Sequence, residues 1–157
     1  MRSRNINYRW IPVVLWMSLI FILSHQDATR SSQLSGGLMT AVMDALAGLF
    51  KGISIQPETL HFILRKGAHF TAYLVLGLLA AYAQEPKRRK EWLWTLIICI
   101  VYAVSDEYHQ TFIPGRSGEL RDVLIDSAGS FTGLVFYGLT LYLLKIRNRS
   151  RTQVKAA

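Results

Sequence analysis

Four apolar runs alternate with polar connectors along this chain, at about residues 8–24, 60–83, 91–108 and 122–145. A helix needs roughly 20 residues to cross a hydrocarbon core about 30 Å thick, and the runs are of that order. The third is near the short end and is bounded by charge, which suits a small tilt or a thinned bilayer. Tyr8, Trp10, Trp92, Trp94, Tyr108 and Tyr142 fall close to the run ends, as interfacial aromatics tend to do. After the first run, SHQDATRSSQLSGG is polar and turn-rich. The segment LMTAVMDALAGLFKGI then follows, with only Asp44 and Lys51 charged. It is too short and interrupted for a span, so an amphipathic helix lying on the membrane surface is predicted there. The pattern predicts an all-α fold: one domain over 1–157, built as an integral membrane four-helix bundle with an additional interfacial amphipathic helix.

Composition sharpens this reading. The chain has 157 residues, 51% of them hydrophobic, with a mean hydropathy of +0.24. Hydrophobicity concentrated in continuous runs argues for a membrane protein over a soluble basic one. The first run follows a basic start, as a signal peptide would, but has no small-residue cleavage site before SHQDATR. It is therefore read as a retained helix. The single cysteine, Cys99, sits inside an apolar run. It can form neither an intrachain disulfide nor a thiolate metal cage.

The net charge of +8 is unevenly placed. Arg2, Arg4 and Arg9, the KRRK of residues 87–90, and Lys145, Arg147, Arg149, Arg151 and Lys155 hold twelve of the eighteen cations. Only Glu85 and Glu91 accompany them, while eight acids lie in the segments between. The positive-inside rule puts both termini and the middle loop in the cytoplasm. The basic character is thus a topology and anionic-lipid signal rather than a mark of nucleic-acid binding.

The acidic side carries the candidate chemistry. Residues 106–126, DEYHQTFIPGRSGELRDVLID, hold five carboxylates, one imidazole and two guanidiniums between two apolar runs. Charge at the end of a membrane helix points to function, because an unpaired charge is expensive in lipid. In the second run His61, Arg65, His69 and Tyr73 recur every four residues, with Lys66 beside them, and so line one helix face. In the third, Tyr102, Asp106 and His109 share a face. In the fourth, Asp122, Asp126, Gly129, Gly133 and Tyr137 do so. Gly129 and Gly133 form a GxxxG pair, which lets a neighbouring helix approach closely. Asp126 lies a full turn inside its run and needs a cation from another element, with Arg116, Lys66 and His69 as candidates. Arg116 follows a Pro114–Gly115 turn, which would aim its guanidinium at a carboxylate or phosphate.

The segments LSHQDATRSSQLS (23–35), LHFILRKGAHFTAYLVLG (60–77) and YAVSDEYHQTFIPGRSGELRDVLIDSAGSFTG (102–133) resemble the VanZ-like family in order and spacing. The resemblance covers nearly the whole chain. It implies a small integral membrane protein linked to low-level resistance to teicoplanin-type glycopeptides, and it supplies no mechanism. The residues themselves suggest binding or modification of an anionic cell-envelope lipid head group in an outward-facing pocket. Arg116, Lys66, Tyr73 and Gln110 would hold the ligand. His69 or His109 would be the acid–base group, oriented or balanced by Asp106, Glu107, Asp122 and Asp126. The expected partners are membrane lipids, a lipid-linked envelope precursor or a lipoglycopeptide. The alternative is a non-catalytic lipid- or antibiotic-binding accessory protein. No cofactor is named by the pattern. HxxxH and HExxH spacings are absent from any single helix, so no metal ligands are assigned.

Overall fold

The computed structural model describes residues 6–25 and 56–156. A 3-10 turn at Ile6–Trp10 leads into α1 (Ile11–Ser24). Three longer helices follow: α2 (Pro57–Gln84), α3 (Arg89–Gln110) and α4 (Leu120–Ala156). Among the described residues the fold is all-α, as the apolar runs predict. The predicted surface helix after the polar connector lies outside the described residues.

Local chemistry accounts for the helix boundaries. Prolines open α1 and α2 at their first turns, where a missing N–H costs nothing. At the start of α3 the Glu91 carboxylate accepts the backbone N–H groups of Lys87 and Arg88, at 2.7 and 3.1 Å. That satisfies donors the helix leaves unpaired. Helix α2 ends on Glu85 in the left-handed region, at φ 46°. The turn between α3 and α4 uses Gly115 at φ 75°, a conformation that costs glycine little.

The tightest packing is between α2 and α4. A Cβ added to Gly129 would stand 2.3 Å from the Phe70 carbonyl oxygen, and one on Gly133 would stand 2.2 Å from that of Leu74. From the other side, a Cβ on Gly77 would meet the Ser130 carbonyl at 2.3 Å. The two backbones therefore touch through glycine, as the GxxxG pair predicts. Helix α1 docks on α2 and α3, partly by hydrogen bonds. The Trp16 indole N–H donates to the Ala72 carbonyl at 2.8 Å, and the Tyr102 hydroxyl donates to the Met17 carbonyl at 2.6 Å. The packed centre contains Val13, Ile20, Tyr73, Leu76, Ala80, Cys99 and Ala103.

Polarity is inverted relative to a water-soluble protein. Asp106, Glu107, Asp122 and Asp126 are buried, while Ile11, Val14, Leu15, Ile22, Leu124, Phe131, Val135 and Leu139 are exposed. Residues 62–84 and 120–148 are long and apolar enough to cross a membrane. Only 17% and 22% of their most apolar windows are buried, so neither is the enclosed core helix of a soluble domain.

Candidate functional site

Each of α2, α3 and α4 brings polar side chains to one end of the bundle. On α4, Asp122 and Asp126 are one turn apart on the face that carries Gly129, and both are fully buried. Glycine contact between α2 and α4 sets these carboxylates against Lys66 and His69. Lys66 Nζ donates to Asp122 Oδ1 and, at 3.2 Å, to Glu119 Oε2. His69 Nδ1 lies 3.3 Å from Asp126 Oδ1 and 4.0 Å from Glu107 Oε1. The side chain from another element that meets Asp126 is therefore His69, one of the three candidates read from the sequence.

Asp106 ties three helices together through one oxygen. Its Oδ2 accepts the Ser24 hydroxyl of α1 at 2.9 Å, the Tyr73 hydroxyl of α2 at 3.4 Å and the Gln110 amide of α3 at 3.5 Å. Glu107 is held at both ends. Gln110 Nε2 donates to its Oε1 at 3.0 Å, and the backbone N–H of Glu119 donates to its Oε2 at 3.0 Å. The second bond needs the α3–α4 turn to lie close to α3, and Gly118 permits it. A Cβ there would stand 2.6 Å from the Glu107 carbonyl oxygen. Among the described residues, three buried side-chain oxygens have no hydrogen-bond partner: Asp106 Oδ1, Asp122 Oδ2 and Asp126 Oδ2.

His109 is not part of this cluster. Its Nε2 lies 3.1 Å from His25 Nδ1, and its ring stacks on Phe21 at 4.5 Å. Helical geometry explains the separation. Successive residues turn by about 100°, so Glu107 and Gln110 sit to one side of Asp106 and His109 to the other. The polar face of α3 is therefore 106–107–110, and the imidazole beside the carboxylates is that of His69. Lys66 is in place but already committed to carboxylates. Tyr73 and Gln110 orient Asp106 and Glu107 rather than stand free.

Arg116 lies in the α3–α4 turn beside Gln110. One of its nitrogens donates to Gln110 Oε1 at 3.1 Å. Burial pulls its pKa below the usual arginine value, and the like charge of nearby Arg65 adds to this; a guanidinium nevertheless stays protonated in proteins. Arg65 is exposed. It lies on the stripe with His69 and Tyr73, and in sequence it looks like an ordinary interfacial arginine with its charged head turned to water.

The arrangement can bind an anion at the arginines, move a proton at His69 and concentrate negative charge beneath both. Comparison with known proteins adds one match: the family model described as VanZ/LLP1 covers residues 9–142. No curated protein and no solved structure matches the chain.

Proposed function

Since this chain belongs to the VanZ/LLP1 family, associated with glycopeptide resistance, we propose that it crosses the membrane four times and takes an anionic envelope-lipid head group from the outer leaflet. The site end of the bundle faces outward and both termini face the cytoplasm. Arg116, with Arg65 beside it, grips a phosphate or carboxylate of the head group. His69 serves as acid–base group, held by Asp126 and Glu107. The output is reduced sensitivity to glycopeptides that act outside the membrane.

One observation carries this reading. A histidine, four buried carboxylates and a lysine are gathered from three helices into one end of a bundle whose outer surface is apolar. Structural need alone does not account for so many charges, since each is costly in lipid. Arg116 strengthens the case, because it is bonded to an amide and, among the described residues, meets no carboxylate within salt-bridge distance.

The test is Arg116→Ala in teicoplanin-challenged cells, read as membrane abundance together with susceptibility. Normal abundance with lost protection is expected. Arg116→Lys should also lose most protection, because an ammonium cannot form the two-pronged contact of a guanidinium. A well-expressed Arg116→Ala protein with full protection would end the head-group reading. The binder alternative predicts that His69→Gln keeps its protection, whereas a catalytic role requires that it be lost.

A further inference from the structure

The site holds more carboxyl groups than the basic groups reaching it can pair. Asp106, Glu107, Asp122 and Asp126 are all buried. Among the described residues, Lys66 and His69 are the basic side chains in contact with them. Lys66 also serves Glu119, and Arg116 reaches Gln110 rather than a carboxylate. Even with His69 protonated, two of the four buried carboxyl groups are left without a basic partner, and ionised they would be costly at low dielectric. Asp126 Oδ2, Asp122 Oδ2 and Asp106 Oδ1 are buried and meet no hydrogen-bond donor among the described residues. A cation would satisfy acceptors of this kind.

The donor geometry matches such a cation. One ligand atom each from His69, Glu107 and Asp126 lies within 4.8 Å of the other two. His69 Nδ1 is 3.3 Å from Asp126 Oδ1 and 4.0 Å from Glu107 Oε1. Ligands held about 2.0–2.2 Å from one ion stand roughly 3–4 Å from each other. The three residues come from α2, α3 and α4, so no motif within a single helix announces them. Glu107 is also steadied from behind by the Gln110 amide and the Glu119 N–H, the kind of support that ligating carboxylates receive.

We propose that His69, Glu107 and Asp126 bind one divalent cation of the zinc or manganese type. The imidazole disfavours calcium and magnesium, which prefer oxygen ligands throughout. Binding at Nδ1 displaces the proton between His69 and Asp126 and leaves the ring's proton on Nε2, so with the metal bound the acid–base role proposed for His69 would pass to a metal-bound water. Three protein ligands leave positions for water or for an oxygen of an anionic head group. The choice of head group as the further ligand rests on the function proposed above, whereas the metal site rests on the donor geometry.

The test uses the full chain purified in detergent, stripped with chelator and returned to metal-free buffer. Manganese uptake is followed by loss of the free-ion electron paramagnetic resonance signal, and zinc uptake by elemental analysis after gel filtration. One equivalent per chain of either metal is expected for the unmodified protein. Glu107→Gln and Asp126→Asn, which keep shape and lose charge, should each bind at least tenfold more weakly. Where Asp126→Asn does not fold, the unmodified protein and Glu107→Gln still decide the matter. Stoichiometric uptake of neither metal, or uptake unchanged in Glu107→Gln, overturns the proposal. Protection that depends on Arg116 in a protein that takes up no metal sinks this inference alone. Metal uptake with protection indifferent to Arg116 sinks the head-group reading alone.

Discussion

Lys66 is the residue whose loss should be felt most directly in stability. Its ammonium is the sole basic group in contact with Asp122 among the described residues, and Asp122 is fully buried. Removing one partner of a buried pair leaves an uncompensated charge, at a cost of about 3–5 kcal/mol. Lys66→Met should therefore lower the melting temperature of the purified protein sharply. The double variant Lys66→Met with Asp122→Leu should recover part of the loss, because no lone charge remains. Size-exclusion chromatography after stepwise heating would measure both. A single variant as stable as the parent would mean that the pair is solvated. Sequence spacing placed Lys66, His69, Asp122 and Asp126 on facing stripes, so the candidates for pairing were readable. Which partner each chose was not, because that depends on how far each helix is rotated about its axis. His109 and Gln110 show the limit. They are adjacent in sequence, yet Gln110 enters the carboxylate cluster and His109 turns to His25 and Phe21.

At the scale of elements, the α2–α4 contact decides whether the site assembles. Gly133 abuts the Leu74 carbonyl, and Gly129 abuts that of Phe70. These obstacles are backbone atoms and cannot rotate away. Gly133→Val should push the helices apart and cost about 1–3 kcal/mol or more by overpacking. Because the separation also moves Asp126 from His69, metal uptake and protection should fall together with stability. Gly67→Ala, whose added carbon would meet nothing within 4 Å, is the matched control and should leave all three unchanged. Helix existence was plain in the sequence because apolar runs bounded by charge admit few alternatives. The ends were less plain. The second run was read as 60–83 and forms Pro57–Gln84, and the fourth was read as 122–145 and continues to Ala156. Hydropathy marks where a lipid-compatible stretch stops, whereas backbone hydrogen bonding carries a helix onward through polar residues. Gly129 and Gly133 were legible as a close-approach pair. Gly77, their counterpart on α2, was not, since a lone glycine in an apolar run gives no spacing signal.

For the whole molecule, charge asymmetry makes a topological prediction. A cysteine placed at Ser117, exposed in the α3–α4 turn, should react with an impermeant maleimide added to intact cells. One placed at Ser150, in the basic tail, should react only after the membrane is opened. The native Cys99 is 1% exposed and should give no background. Labelling at Ser150 from outside would reverse the orientation and place the site on the cytoplasmic face.

The glycine seam also has a mechanical consequence. Side chains between helices act as compliant spacers, since a rotamer change lets one helix slide or tilt against the other. At Gly77, Gly129 and Gly133 no such spacer exists, and carbonyl oxygens limit the approach directly. Helices α2 and α4 therefore form a stiff plate, and His69 and Asp126 are fixed to its two sides. Any motion that admits or releases a ligand falls to α1, α3 and the turn after it. Spin labels at the outward-facing positions Thr71 and Phe131 should report one narrow distance with or without ligand, as two marks on a single rigid body do.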